Sequence, residues 1–129
     1  MRVDARPPAS APEPATAQRN AENAIREVLA QYVAGLEGRS LAALKRVWPS
    51  LSGNQERAIR TEFANARSVG ARFIEPRIMV SGDMATITGT REYNLVTQDG
   101  QRLSTVTKTT ITLHRNGDDW VIDRVVHQQ

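Results

Sequence analysis

Arg72, Arg91 and Arg124 fall in three separate runs of alternating apolar and polar residues, and Tyr93 and Thr107 lie in two of the same set of runs. Guanidinium groups brought together from different strands could clamp a carboxylate or a phosphate, because a planar fork meets two acceptor oxygens at once. Tyr32 and Trp48, upstream in segments of helical spacing, could add aromatic faces to such a site. The chemistry this offers is binding of an amphipathic anion, its apolar body near Trp48 and its head near Arg91 and Arg124. The competing reading pairs the arginines with Glu27, Glu37 or Glu62, or sends them outward to solvent.

Proton-transfer chemistry is harder to find. Asp83, Asp99, Asp118 and Asp119 occupy turns, and strand alternation sends Glu75, Glu92, Asp123, His114 and His127 to the outer face. General acid–base catalysis needs an ionisable group within reach of the substrate. The inner strands offer none except arginine, which leaves only an intruding helix residue such as Glu27 or Glu62, neither marked by its surroundings. Two histidines without a third ligand do not make a metal site, and the chain has no cysteine, so no metal or other cofactor is expected.

The elements that must position these residues are legible from periodicity. Ile25, Val28, Leu29, Tyr32, Val33 and Leu36 recur at helical spacing, predicting a long first helix from about Asn20 to Gly35–Gly38. Ser40 is a candidate cap for a short second helix that turns Leu41, Leu44, Val47 and Trp48 inward. Pro49 removes a donor and disfavours helix at Trp48, so the helix stops there. Ser52 with Gln55 matches a capping box, opening a third helix with Ile59, Phe63 and Ala66 on one stripe. From Ala71 the period becomes two, and strands are expected at 71–80, 84–96, 102–115 and 120–127. The pattern is α+β: three N-terminal helices packed on a curved, four-stranded antiparallel meander.

Turn lengths then set the register. Two-residue turns at Ser81-Gly82 and Asn116-Gly117 put Ile78 opposite Ala85, Leu113 opposite Trp120 and Thr109 opposite Arg124. A three-residue loop, Gln98–Gly100 with glycine left-handed, pairs Leu95 with Leu103, Ile87 with Ile111 and Arg91 with Thr107. Arg72 falls opposite Arg91. One end of the inner face is then aliphatic and the other carries Arg72, Arg91, Tyr93, Thr105, Thr107, Thr109 and Arg124.

The stretches IREVLAQYVAGLEGRSLAALKRVWP, GDMATITG and GDDWVIDRVV, spread over roughly residues 21–126, resemble the nuclear-transport-factor-2-like (SnoaL-like, cystatin-like) superfamily. Within it the chain is similar to bacterial accessory domains with a Trp-Pro-x-Leu corner. The resemblance implies a cone-shaped fold, a pocket and a tendency to dimerise, but not one activity, because this superfold hosts isomerases, cyclases, hydrolases and binding modules. Combined with the missing acid or base, it implies a non-enzymatic binding domain for a small molecule or peptide. An isomerase-, cyclase- or hydrolase-type enzyme is the alternative. Ligand-binding residues are expected to be Tyr32, Trp48, Arg72, Arg91, Tyr93, Thr107 and Arg124. A homodimer is expected through an outer face carrying Phe73, Met79, Val106, Val121 and Val125.

Bulk properties narrow the partners. The 129 residues suffice for one domain, with 40% hydrophobic and 5% aromatic content implying a mainly aliphatic core. Net charge is +3 and the basic residues are scattered, which does not indicate nucleic-acid binding. No stretch approaches the roughly 18 apolar residues of a membrane span. Residues 1–18 hold four of the six prolines and read as a linker or tail preceding a domain at 19–129. Such a tail is compatible with an extracytoplasmic domain of a membrane-anchored protein, and the compartment is otherwise open.

Overall fold

The computed structural model describes residues 14–128. Helices α1 (Pro14–Glu37), α2 (Leu41–Val47) and α3 (Gly53–Asn65) precede strands β1 (Ala66–Ser81), β2 (Met84–Thr97), β3 (Arg102–Asn116) and β4 (Asp119–Gln128). The strands form one antiparallel sheet in sequence order, as the α+β reading requires. Helix α1 begins at Pro14, earlier than its apolar stripe suggests, because proline at a helix start gives up an N–H that has no intrahelical partner anyway. Residues 1–13, where most of the expected Pro/Ala-rich tail falls, lie outside the described residues. Among the described residues no helix is long and apolar enough to cross a membrane.

The helical layer packs as its periodicity dictates. Ile25, Val28, Leu29, Tyr32 and Leu36 are buried along one face of α1. Gly35 lets α2 approach: a Cβ there would come within 2.9 Å of the Leu44 side chain. The Ser40 hydroxyl caps α2 by accepting from the Ala43 N–H at 3.1 Å. Trp48 closes α2 with its own N–H on the Leu44 carbonyl at 2.8 Å, and its side chain is 2% exposed. The Trp48-Pro49 corner is therefore a helix stop whose indole belongs to the core.

The capping box expected at α3 is not made. Ser52 stands at the N-cap position, but its hydroxyl donates to the Ser50 carbonyl at 3.2 Å. Gln55 instead reaches across to the sheet and donates to the Val125 carbonyl at 3.3 Å. Phe63 is the buried anchor of this helix and Ile59 is half-buried. Thus α3 leans over the sheet with a narrow apolar contact and a few polar ties.

The central hairpin has the expected register, with Leu95 opposite Leu103, Ile87 opposite Ile111 and Arg91 opposite Thr107. Gly100 takes φ +91° in its loop, a conformation that glycine adopts without strain. The two outer hairpins differ. Their turns sit one residue further on, pairing Ser81 with Met84 and Asn116 with Asp119, which leaves the inward and outward faces unchanged. The sheet has three register slips; one falls at Arg67 by the start of β1, and the other two then reverse these faces.

In β1 the pairing slips between Ile74 and Arg77, at Glu75-Pro76, so Phe73 rather than Arg72 lies opposite Arg91. Proline cannot donate to the ladder, and Glu75 takes a left-handed φ of +52°. Gly89 faces this bend and has to be small, since a Cβ would lie 3.2 Å from both the Ile74 carbonyl oxygen and the Pro76 Cα. In β4 the slip falls at Asp123, between the pairs Leu113–Ile122 and Thr112–Arg124. Thr109 consequently faces His127, not Arg124. A bulge adds one residue to one strand, and every later side chain changes face.

Candidate functional site

Between the helices and the inner face of the sheet lies a cavity of about 270 Å3. Tyr32, Leu36 and Trp48 form its buried floor, and Ala58 and Ile59 of α3 cover one side. Gln55, Glu62, Arg91 and His127 supply its polar groups. It is more enclosed than a shallow depression of about 380 Å3 on the outer face, which Arg77 and Lys108 flank. Convergent polar groups over an apolar floor mark the inner cavity as the candidate ligand site.

Arg91 is the group around which the others are arranged. Its Nη1 donates to the Tyr32 hydroxyl at 3.2 Å, and its guanidinium carbon lies 4.6 Å from the Tyr93 ring centroid. Its Nε is buried and has no protein acceptor. Tyr32 also meets Trp48 and Phe73 edge-on, each with ring centroids 6.5 Å apart, so the phenol receiving Arg91 is itself held by packing. Burial raises the Tyr32 pKa, an effect that the Arg91 charge partly opposes, and the phenol remains protonated at neutral pH. The Tyr93 hydroxyl donates to Glu62 Oε1 at 2.8 Å. Burial and then this bond raise its pKa as well.

His127 faces the same cavity because of the Asp123 bulge. Its Nδ1 lies 2.9 Å from the Thr109 hydroxyl, which is buried and in turn 3.4 Å from the Thr107 hydroxyl. The residue as a whole is exposed while its Nδ1 edge packs against the sheet. Burial of that edge, followed by the nearby Arg91 charge, pushes its pKa down to about 4. The ring is therefore neutral at pH 7.

The expected binding residues divide. Tyr32, Trp48 and Arg91 line the cavity, and Tyr93 and Thr107 are buried behind it. Arg72 and Arg124 do not join them. Arg72 is on the outer face, paired with Glu92 at 2.8 Å, and Arg124 is exposed beyond the β4 bulge. The three-arginine clamp reduces to Arg91, because each bulge turned one of its partners outward. His127, expected outside, is inside for the same reason, so the inner face does carry an imidazole. His114 points outward as expected, its Nδ1 2.5 Å from Asp123 Oδ1. The expected outer patch also changes: Phe73 and Val125 pack on the core and Val121 is buried, while Met79 and Val106 are exposed, as are Met84 and Val126. Among the described residues no group of three or more potential ligands could hold a metal ion.

Residues 42–128 match the SnoaL-like domain family, and the chain belongs to it. No curated protein matches its sequence. Solved structures share the fold at low identity. One is a nuclear-transport-factor-2-like protein from Streptomyces avermitilis, provisionally described as a dehydratase, with TM-score 0.74 and 16% identity over 85% of this chain and 97% of that one. A type 3 hexachlorocyclohexane dehydrochlorinase from Novosphingobium barchaimii superposes with TM-score 0.71 at 12% identity, over 86% and 87% of the two chains. The association domain of CaMKII from C. elegans gives TM-score 0.68 at 12% identity, over 88% of this chain and 98% of that one. At these identities the likeness is one of fold.

The depressed His127 pKa fixes a pH effect. The unfolded imidazole takes up its proton near the ordinary value of 6.5, whereas the folded one does so near 4. The unfolded chain thus binds more protons in that window, and the stability His127 contributes is complete above about pH 6.5 and is lost as pH falls toward 4. Urea midpoints measured from pH 7.5 to 4 should decline, and His127→Gln should flatten part of that decline. An NMR titration placing the His127 midpoint at or above 6.5 would contradict the assignment.

Proposed function

We propose that this SnoaL-like domain is a binding module that holds a small amphipathic ligand in its cone cavity, with a carboxylate-type head on Arg91. The observation that carries this reading is the state of Arg91. It is locked by Tyr32 and Tyr93, yet its Nε–H has no protein acceptor. A buried donor without a partner costs roughly 1–3 kcal/mol, and a ligand oxygen would remove that cost. The aromatic and aliphatic floor at Tyr32, Trp48 and Leu36 suits the ligand's apolar part. The narrow contact of α3 with the sheet leaves that side as the way in.

A second reading, an acid–base enzyme on the same cavity, is favoured by one observation: His127 is neutral and lies in the cavity wall. The dehydrochlorinase likeness points in the same direction. The chemistry of the ring argues against it. A base with a pKa of about 4 has little drive to take a proton at pH 7, and its Nδ1 partner is a threonine hydroxyl rather than a carboxylate that would strengthen it. Binding is the better-supported function.

Isothermal titration with branched aliphatic carboxylates tests the binding reading. Arg91→Ala should weaken binding by about 1.5–3 kcal/mol, the range for charge-assisted hydrogen bonds, while Arg124→Ala should leave it unchanged. Equal losses from both substitutions, or none from Arg91→Ala, would refute it.

The reading also includes a homodimer through the outer sheet face. Its support is the exposure of Met79 (69%) and Val106 (61%) on a sheet face not covered by helices. The likeness to a domain described as an association domain is in keeping with it. Light scattering at micromolar concentration should give twice the 14.3 kDa chain mass, falling toward the monomer in a Met79→Lys, Val106→Lys variant. A wild-type monomer across the micromolar range would rule the dimer out.

A further inference from the structure

We infer that the ligand of the cone cavity is a small zwitterion, an apolar amino-carboxylate of the α-amino-acid class, with its carboxylate on Arg91 and its ammonium on Glu62. This rests on the binding reading above and adds to it the second charge.

Arg91 and Glu62 both line one cavity of about 270 Å3, yet they form no ion pair among the described residues. Opposite charges that line one small cavity ordinarily meet. Here Tyr93 stands between them. Its ring lies under the guanidinium, 4.6 Å from the ring centroid to the guanidinium carbon, and its hydroxyl holds Glu62 Oε1 at 2.8 Å. One side chain thus orients both charges.

Each charge keeps bonding capacity. Arg91 spends Nη1 on Tyr32 and leaves Nε without a protein acceptor. Glu62 Oε2 accepts no hydrogen bond among the described residues, since only Oε1 is engaged. His127 is neutral at pH 7 and adds a polar edge without adding charge. The cavity therefore presents one positive and one negative group.

A simple anion entering here gains Arg91 and is repelled by Glu62, while a simple cation meets the converse. A molecule carrying both charges a few bonds apart satisfies both, and the electrostatics select for it by penalising the single-charge analogues. The floor of Leu36, Trp48 and Tyr32 takes an aliphatic or aromatic side chain. The volume lies near the lower limit of small-ligand sites, which suits a single amino acid better than a peptide.

The test is calorimetric titration of the whole chain at pH 7 with four probes of one shape: leucine, 4-methylpentanoate, 3-methylbutylamine and 4-methylpentanamide. Leucine should bind at least tenfold more tightly than each of the others. Glu62→Gln, an isosteric change at an exposed position, should erase that advantage and tighten 4-methylpentanoate. Near-UV circular dichroism from Trp48 and Trp120 confirms that the variant keeps its packing. If 4-methylpentanoate matches leucine on the wild-type chain, or Glu62→Gln leaves their ratio unchanged, the zwitterion is wrong while the binding reading stands. If no probe binds at millimolar concentration, and phenylalanine and 3-phenylpropanoate also fail, both fall together.

Discussion

A strand alternates its faces only while each residue has one partner across the ladder, and in this sheet that condition is broken three times, once at Arg67 by the start of β1 and twice deeper in the sheet. Glu75-Pro76 in β1 and Asp123 in β4 each add a residue that the neighbouring strand does not match. Which residues of β1 and β4 reach the inner face follows from those two insertions. The first exchanges Arg72 for Phe73 on the inner face, where Phe73 packs edge-on against Tyr32. The second exchanges Arg124 for Val125 and His127. Without the bulges, a cavity walled by three guanidiniums would carry more positive charge than Glu62 balances. With them, it has one guanidinium, one carboxylate and a neutral imidazole over an apolar floor.

The same insertions shape the fold. Bulges bend and twist a sheet locally, and a curved sheet is what lets three helices sit within its concave side. Gly89 accommodates the bend because backbone fills the place of its side chain. Tyr32, reached from α1, and Tyr93, reached from β2, then clasp Arg91 from two sides. Helix α3 brings Glu62 to Tyr93 and Gln55 to the edge of β4. Packing thus fixes the charged residue at the base of the site, while its rim is carried by the most loosely anchored helix.

Much of this was legible in the sequence. The helix stripes, the Ser40 cap, the Trp48-Pro49 stop and the central hairpin register follow from local spacing, and local spacing is what periodicity reads. Arg91 lines the cavity because no bulge lies between it and the Gln98–Gly100 loop that sets its register, and Tyr32 and Trp48 line it because helical spacing alone turns them inward. The failures sit beyond the bulges, and the signals for those were present. Pro76 falls in mid-strand, where it cannot donate, and Gly89 lies on the neighbouring strand. In β4 the inward residues Trp120, Ile122 and Val125 are spaced by two and then three, a break that strict alternation does not allow. The Ser52–Gln55 pair misled because Gln55 had a better acceptor on β4 than its own helix start, a tertiary preference that no local pattern reports.

The placement of β4 carries the account, and a nuclear Overhauser spectrum of the whole chain tests it directly. Thr109 and His127 should show cross-strand backbone contacts, with the His127 ring protons close to the Thr109 side chain and Ile111 close to Val125. Contacts from Thr109 to Arg124 instead, with Ile111 against Ile122, would mean an unbroken ladder. In that case His127 would face solvent, the charge balance of the cavity would change, and the account would fail.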